Sequence, residues 1–296
     1  MKQFQLEYES LSSFQSELKK VEMWTASKVV SDVLFTIYTS KIDKEKIEEV
    51  CNTIHNVFPK AHYMGCSTNG NIIRGEFCNT DIGVTCTIFE YPSTQLRILQ
   101  YTLTENTVDD VTKSLLWQIE RNPWVRAVQL LTTIRGMSMT RFCENLRPAA
   151  PGVRIFGGGA FSEDMSDNAC VFSEEEGYSE NGVVFALIGG EDFRVNTTYI
   201  SGWKPLGKEL EVTKAKGSTL YELDGKPAYD VYYKYLHIKN DENFFNNTLE
   251  FPFFYHHNGI DILRAPVSSN PDGSLTMTSD IEEKVMYNTY NMGLGM

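Results

Sequence analysis

Length, composition and charge limit what this chain can be. It has 296 residues, 42% of them hydrophobic and 22% charged, which is typical of a globular protein of about two domains. Its 27 basic and 39 acidic residues give a net charge of −12, which repels phosphate backbones and argues against nucleic acid as a partner. There is no run of about 18 apolar residues, so we expect no membrane insertion.

The N-terminus and the cysteines indicate the compartment. Residues 1–7 lack the apolar core of a secretory signal. The six cysteines are scattered and none forms a C-x-x-C pair, which is typical of reduced thiols rather than of a disulfide framework. We therefore expect a cytoplasmic protein.

The first part of the chain predicts a helix and then a β-α-β unit. Residues 1–26 are polar, with apolar side chains at spacings of three and four, which predicts a helical segment that is a docking helix or a connector. Residues 28–38 are apolar and β-branched, which predicts a buried strand. An amphipathic helix over 43–57, with Asp43 as its N-cap, and a strand over 61–65 complete a unit that favours a right-handed crossover.

The middle of the chain predicts strands and helices in alternation. Residues 82–91 and 95–103 alternate between apolar and polar side chains on either side of a Pro-Ser pair, and we interpret them as a hairpin. Further helices are predicted at 108–120 and 138–146, and further strands at 125–134, 153–156, 169–172, 182–188 and 194–200.

The last third predicts a smaller, β-rich part. Residues 202–224 are polar and are interpreted as a connection. A short aromatic helix at 228–236 is followed by predicted strands at 251–255, 260–264 and 274–278, with a turn at 270–273. The expected fold is mixed α/β: a sheet-centred N-terminal module with flanking helices, followed by a smaller β-rich C-terminal module.

Two glycine-rich stretches follow predicted strands and form a candidate site. They are Gly65-Cys66-Ser67-Thr68-Asn69-Gly70 and Gly157-Gly158-Gly159-Ala160. Glycine tolerates positive φ and close backbone approach, so we interpret both as tight turns whose amides face one cleft, with Cα separations within about 15 Å. Gly158→Val should then abolish ligand binding, because a β-branched residue resists positive φ. An ordinary tight loop is the alternative.

A catalytic thiol is another function that the sequence raises. Cys66 follows a predicted strand, where α/β sheets offer side chains to a cleft. His62 lies four residues upstream in the same strand, about 13 Å away, which is poor geometry for a base. We therefore interpret Cys66 as a packed or cleft-lining residue, with a thiol-dependent hydrolase or transferase as the alternative.

The sequence predicts no cofactor and no metal. Residues 202–208 spell G-x-x-x-x-G-K, but Glu209 stands where a Ser or Thr would hold magnesium, and Pro205 removes an amide. His256 and His257 are adjacent in a predicted strand and point to opposite faces, which prevents joint chelation. These patterns do not indicate an enzyme.

Several short motifs, in their order and spacing, resemble the FIST family of bacterial sensory domains. The motifs are G-C-S-T-N-G at 65–70, F-G-G-G-A at 156–160, G-W-K-P-L-G, V-T-K-A and E-L-D-G-K-P-A within 202–228, F-P-F at 251–253, Arg264, and P-D-G-S-L at 271–275. By this resemblance, residues 27–225 form a FIST N-terminal module, 226–296 begin a FIST C-terminal module, and 1–26 form a preceding helical segment. The second module would extend beyond residue 296, so we expect a shortened relative or a part of a longer chain.

The resemblance implies a cytoplasmic sensory input module of a bacterial signal-transduction protein rather than an enzyme. Its ligand would be a small molecule such as an amino acid or a derivative, and its output would pass to a signalling domain or a partner protein. The implied ligand-binding residues are Cys66, Ser67, Thr68, Gly70, Gly157, Gly158, Gly159, Ala160, Trp203 and Arg264. Trp203 and Arg264 would form walls of the cleft, and Arg264 would hold a ligand carboxylate. A protein-interaction module without a small-molecule ligand is the remaining alternative.

Overall fold

Two compact units make up the chain. The computed structural model describes residues 1–78, 80–104, 106–133, 139–147, 152–162, 168–198, 203–257, 260–283 and 285–292. Unit 1 comprises Met1–Met137 and Arg141–Thr197, and unit 2 comprises Ser138–Thr140 and Thr198–Met296. No helix among the described residues combines the length and the hydrophobicity needed to cross a bilayer.

Strands and helices alternate through most of unit 1. In chain order the elements up to residue 197 are β1 (Lys2–Tyr8), α1 (Leu11–Thr25), β2 (Asp32–Thr39), α2 (Lys44–Val57), β3 (His62–Ser67), β4 (Asn71–Ile73), β5 (Glu76–Cys78), β6 (Ile82–Phe89), β7 (Gln95–Thr102), α3 (Val108–Arg121), β8 (Val125–Thr132), α4 (Met139–Leu146), β9 (Arg154–Gly159), β10 (Val171–Ser173), β11 (Gly177–Ser179) and β12 (Gly182–Gly189). Within the described residues these strands form a first sheet, β1-β6-β2-β3-β10-β11, a second sheet, β7-β12-β8-β9, and the hairpin β4-β5.

The predicted β-α-β unit is confirmed. β2 and β3 pair in parallel, and α2 connects them. Asp43 caps α2 through a hydrogen bond that its side chain accepts from the Lys46 amide. The apolar stripe of α2 is buried with that of α1 against one face of the first sheet, where Phe35 and Ile37 are fully buried. Helix packing therefore covers the outer face of this sheet.

The inner face of the first sheet meets the second sheet. Leu34 and Met64 of the first sheet share one buried cluster with Ala127 and Val184 of the second. On the second sheet, α3 lies along β7, where the Ser114 hydroxyl donates to the Tyr101 hydroxyl at 3.2 Å. The mixed α/β fold class is thus confirmed, and the space between the two sheets is the interior in which the candidate site lies.

The predicted hairpin of residues 82–91 and 95–103 is wrong. β6 pairs with β1 and β2 in the first sheet, whereas β7 pairs with β12 in the second. The eight residues of β6 are nearly all buried, since this strand is covered on both faces. The Pro-Ser connection therefore carries the chain from one sheet to the other, which alternation within each strand does not reveal.

The N-terminal segment is part of unit 1 and not a separate helix. Residues 2–8 form β1, which pairs antiparallel with β6 over its whole length. The helical spacing predicted for residues 1–26 is present in α1, whose Phe14, Leu18 and Val21 are buried. Phe4, Leu6 and Tyr8 alternate with polar residues, which is a strand pattern, but the sequence prediction extends the helical spacing that follows it over the whole segment.

Two further predictions in unit 1 need correction. The three consecutive glycines do not form a turn, because β9 continues through Gly159 in parallel with β8. The strand predicted at 194–200 is absent over the described residues 194–198, which have no regular structure, and residues 199–200 lie outside the described part.

Unit 2 is rich in strands. Its elements are β13 (Trp203–Lys216), β14 (Thr219–Leu223), β15 (Lys226–Pro227), α5 (Ala228–Leu236), α6 (Phe244–Leu249), β16 (Phe253–His257), β17 (Ile260–Arg264), β18 (Pro266–Ser269), β19 (Leu275–Met277) and β20 (Met286–Met292). They form a sheet in the order β17-β16-β20-β13-β14-β19-β18, with β15 on β14. The predicted turn at 270–273 is present, with the Gly273 amide donating to the Asn270 carbonyl at 3.0 Å.

The polar connection predicted at 202–224 is wrong over its described residues. β13 runs for 14 residues and pairs with β14 and β20, and Leu210 and Val212 join the core of unit 2. Because β13 belongs to unit 2, the compact unit 1 ends at residue 197. The module boundaries predicted from the sequence lie at residues 26 and 225.

Candidate ligand-binding site

A cleft of 610 Å³ opens between the two sheets of unit 1. Strands β1, β2 and β6 form its floor, strands β8, β9 and β12 face them, and residues 192–196 close one side. The lining residues are Met1, Gln3, Leu34, Thr36, Tyr38, Thr85, Thr87, Phe89, Glu90, Tyr91, Thr94, Ala127, Gln129, Phe156, Ile188, Asp192, Phe193, Arg194, Val195 and Asn196. A volume of several hundred Å³ with mainly apolar walls is typical of small-molecule sites.

Threonine hydroxyls line the floor of the cleft. Thr36 and Thr85 are direct cross-strand partners on β2 and β6, and Thr87 lies two residues further along the same face. Gln3 donates from its side-chain amide to the Thr87 hydroxyl at 3.1 Å. Thr36 is only 4% exposed, and among the described residues its hydroxyl has no hydrogen-bond partner. Within the described residues the Tyr287 hydroxyl is the one polar side-chain atom that is fully buried without a partner, so the Thr36 hydroxyl is open to the cleft, where a ligand can bond to it.

Tyr38 and Gln129 add neutral polar groups from both sheets. Burial raises the pKa of the Tyr38 phenol to about 12, the nearby Cys66 adds to the shift, and a hydrogen bond with the Gln129 side chain opposes it. Tyr38 is therefore a neutral hydroxyl at physiological pH. Phe156 lies beside Gln129 in the register of β8 and β9 and is 40% exposed. Its ring presents apolar surface to the cleft.

Charged groups that line the cleft are concentrated at its rim. The Met1 ammonium pairs with the Glu90 carboxylate at 3.0 Å. Asp192 accepts from the Ser93 hydroxyl at 3.0 Å. Arg194, which is exposed, donates from Nη1 to the main-chain carbonyls of residues 191 and 193. Acidic and basic groups thus surround the opening, whereas the walls carry neutral side chains.

The two glycine-rich stretches that the sequence singled out lie next to each other. The Phe161 amide, directly after the second stretch, donates to the Ser67 carbonyl at 3.0 Å. The Cys170 amide donates to Ser67 Oγ, and the Ser67 amide donates to the Cys170 carbonyl, both at 3.0 Å. We call this set of bonds the Ser67 junction. It ties the end of β3 to the residue that follows Ala160 and to the start of β10.

The residues around the Ser67 junction have structural contacts of their own. Ser67 and Ala160 are almost fully buried, and the Ala160 amide donates to the Thr132 carbonyl at 2.7 Å. The Thr68 amide donates to the Thr39 carbonyl, and its hydroxyl donates to the Gly70 carbonyl. These polar groups are used within the fold, and their predicted role in ligand binding stays a prediction.

The consecutive glycines of β9 differ in what they require. Gly157 has φ +149°, and a Cβ built on it would lie 1.8 Å from the Leu130 carbonyl oxygen on β8. Gly158 has no such φ, and a Cβ there meets no atom within 4 Å. Close backbone pairing therefore demands glycine at 157, and the expectation that Gly158 needs positive φ is wrong. Gly159 ends the strand opposite Thr132.

Gly158 instead borders open space and is not one of the residues that line the cleft. Residues two apart in a strand face the same side, so Gly158 faces the same way as Phe156. Gly70, in the other stretch, has φ +156° and lies against the Phe77 ring, which is 2.5 Å from where a Cβ would be. The positive φ, more than the contact with this exposed ring, accounts for glycine at 70.

Cys66 is buried in the cluster between the two sheets and is 4% exposed. Burial raises the pKa of its thiol to about 12, and Cys170 adds to the shift. Because the thiolate is the nucleophilic form, this environment is the opposite of what activates a cysteine. Its burial therefore favours the interpretation of Cys66 as a packed residue over the alternative that it is the nucleophile of a thiol-dependent enzyme.

Trp203 and Arg264 lie in unit 2. Trp203 begins β13 and is opposite Met292 on β20. Arg264, on β17, donates from Nε to the Asp280 carbonyl and from Nη1 to the Leu263 carbonyl, both at 3.0 Å, and its guanidinium lies 5.8 Å from the Tyr255 ring centre. Their role as cleft walls, and that of Arg264 as a carboxylate clamp, stays a prediction.

A half-buried cluster around His62 lies at the start of β3. His62 Nδ1 hydrogen-bonds to the Glu174 carboxylate, and its Nε2 lies 3.7 Å from Asp32. The hydrogen bond with Glu174 raises the pKa of His62, and burial only partly opposes it. Burial also raises the pKa of Asp32, which the charge of His62 opposes. This cluster joins β2, β3 and the residue after β10.

Sequence reasoning missed the residues that line the floor and the facing wall of the cleft. Thr36, Thr85 and Thr87 interrupt strands that are otherwise apolar, and Gln129 does the same in β8. Polar residues within buried strands are unusual unless they have partners, and that interruption was the available signal. The polar residues could not be placed in one cleft from the sequence, because β6 was expected to pair with β7 and in fact pairs with β1 and β2.

Comparison with known proteins agrees with this architecture. Residues 33–226 match the FIST N domain. A stretch of 211 residues is 23% identical to an uncharacterized protein of Methanocaldococcus jannaschii, and the match spans 69% of this chain but 40% of that relative. The chain thus covers less than two thirds of the length of the relative. Because the family match covers more than half of the chain, the chain belongs to the FIST N domain family, a family of sensory domains of signal-transduction proteins.

Proposed function

We propose that this chain is a cytoplasmic sensory input module that binds a small molecule in the cleft between the two sheets of unit 1. The observation that carries the proposal is the Thr36 hydroxyl, which opens into the cleft and has no hydrogen-bond partner among the described residues, although the residue as a whole is 4% exposed. A ligand that bonds to it would satisfy a polar group that folding leaves unpaired. The deeply buried Cys66 thiol supports a binding rather than a catalytic role.

Amino acids and their derivatives are the first ligand class to test. The rim carries Glu90, Asp192 and Arg194, so both signs of charge are present where the polar end of such a ligand would lie. The apolar walls, with Phe89 and Phe156, would hold its body. The output would pass to a signalling domain or partner protein.

The segment that closes the cleft also offers a route for the signal. Residues 192–196 line the cleft, and the chain enters unit 2 after residue 197. Phe193 packs against Phe89 with ring centres 6.2 Å apart, while residues 194–198 have no regular structure. A ligand that contacts this segment would change the path of the backbone that leads to unit 2. Slower amide hydrogen exchange at 191–198 on ligand addition is the expected sign.

Two exposed phenylalanines provide a matched test. Phe156 and Phe161 are 40% and 38% exposed, but of the two only Phe156 lines the cleft. A thermal-shift screen of amino acids and related metabolites on the full chain should find a stabilising compound, with a shift that follows ligand concentration. Calorimetry should then show that Phe156→Ala weakens binding of that compound at least tenfold, whereas Phe161→Ala leaves it unchanged. A folded wild type that no compound stabilises, or equal effects of the two variants, would contradict the proposal.

A further inference from the structure

The cleft walls specify the chemical class of ligand, an inference that rests on the function proposed above. We infer that, within the amino-acid and derivative class proposed above, the ligand is an uncharged derivative and not a free amino acid: a planar ring with an amide-like edge, that is, neighbouring hydrogen-bond donor and acceptor atoms as in a lactam or a pyrimidine. The argument rests on the hydroxyls of the floor, on the position of the charges and on the aromatic walls.

The floor offers groups that can both donate and accept. Thr36 and Thr85 are cross-strand partners, so their side chains stand about 5 Å apart on one face. Neither hydroxyl has a partner among the described residues. A hydroxyl rotates to donate or to accept, and the Gln129 amide across the cleft, which also hydrogen-bonds with Tyr38, carries both a donor and an acceptor atom. Such a set matches a ligand edge with donor and acceptor side by side.

The distribution of charge disfavours an ionised group inside the cleft. Among the lining residues the charged side chains are Glu90, Asp192 and Arg194. Arg194 is exposed and its Nη1 already donates to two main-chain carbonyls, and the Met1 ammonium is paired with Glu90. A carboxylate or phosphate on the floor would lose its hydration without gaining a cation, which is strongly unfavourable. A neutral ligand avoids that cost.

The aromatic walls favour a flat ligand. Phe89 is 3% exposed, Phe193 packs against it at 54° between ring planes, and Phe156 stands on the opposite sheet. Rings stack in offset or edge-to-face contact, so a flat ring between these side chains keeps its edge free for the threonines. The 610 Å³ of space suits a ring with a few substituents.

Calorimetric titration of the full chain with two sets of probes tests the inference. The neutral planar set is uracil, hydantoin and nicotinamide, and the charged set is L-phenylalanine, L-alanine and inorganic phosphate. We expect at least one neutral probe to bind and no charged probe to bind more tightly. Thr36→Val keeps the shape of the side chain and removes the hydroxyl, so it should weaken the neutral probe about tenfold, since a lost hydrogen bond is worth roughly that factor.

Thr102→Val, at an exposed end of β7 outside the cleft lining, is the matched control and should leave affinity unchanged. If only a charged probe bound, and Phe156→Ala weakened its binding, the inference would be overturned and the proposed function would still hold. If no probe of either set bound to folded protein, both would fail. Equal affinities of the wild type and Thr36→Val for a neutral probe would also overturn the inference.

Discussion

The Ser67 junction and the floor residues Thr36 and Thr85 are both polar parts of unit 1, yet they differ in how their polar groups are used. Ser67 bonds through its amide, its carbonyl and its hydroxyl to residues 161 and 170. Thr36 and Thr85, on the neighbouring strands, have hydroxyls without partners among the described residues. A polar group that is buried with all its hydrogen-bond partners stabilises the fold, whereas an unpartnered hydroxyl that opens into a cleft can bond to a ligand. The glycine-rich stretches therefore join the two sheets, and the floor beside them is the better candidate for recognition.

The largest effect is expected from the glycine that packs β9 onto β8. Gly157→Ala should lower the free energy of unfolding by about 3 kcal/mol, because it combines a positive φ with overpacking against the Leu130 carbonyl. Gly158→Ala should change it by less than about 0.5 kcal/mol, because its Cβ enters open space. Urea unfolding measures both. Equal losses at the two positions would show that the register of β8 and β9 is wrong.

Loss of a side-chain hydroxyl should lower the free energy of unfolding at the Ser67 junction but not on the floor of the cleft. Ser67→Ala leaves the buried Cys170 amide without its partner, so it should cost about 2 kcal/mol. Thr36→Val breaks no hydrogen bond to a described residue and should stay within about 0.5 kcal/mol of the wild type. The same unfolding experiment compares them. A clear loss of stability in Thr36→Val without ligand would remove the distinction between the two regions.

The His62 cluster should give a smaller, pH-dependent effect. The pKa of His62 is raised in the folded state, chiefly by its hydrogen bond with Glu174. Its contribution to stability is therefore fully present below the unfolded value of about 6.5 and is lost as pH rises through the folded pKa. The difference in unfolding free energy between the wild type and His62→Gln should shrink over that window.

Replacing the partner tests the cause of this pH dependence. Glu174→Gln removes the carboxylate that bonds to His62 Nδ1 and should reproduce the changed pH profile of His62→Gln. Denaturant unfolding at a series of pH values gives both profiles. A difference from the wild type that is the same at every pH would show that His62 acts by packing and not by charge.

Features that depend on one segment of the chain could be predicted better than contacts between segments that lie far apart in the sequence. The helix over 44–57 followed from Asp43 and an apolar stripe, both of which lie within one segment. The pairing of β6 could not be predicted, because β1 and β2 come from elsewhere in the chain and replace the expected partner β7. The two glycine-rich stretches were expected to meet, and the bond between residues 67 and 161 shows that they do.

The cleft itself was hidden from sequence reasoning for the same reason. Thr36 and Thr85 become neighbours only when β2 and β6 pair, and they face Gln129 only when the two sheets stack. The role of Gly157 likewise depends on the Leu130 carbonyl of another strand. The family match ends at residue 226, near the predicted boundary at 225, whereas the compact unit ends at 197, because β13 pairs within unit 2.

The central claim is that the cleft between the two sheets of unit 1 is where a ligand binds. The most direct measurement is calorimetric titration of Thr85→Phe with a compound that stabilises the wild type. The larger side chain would extend from the floor into the 610 Å³ of open space, so the protein should stay folded and lose binding by a hundredfold or more. Thr102→Phe, outside the cleft lining, should bind like the wild type. Undiminished binding by folded Thr85→Phe would contradict the account.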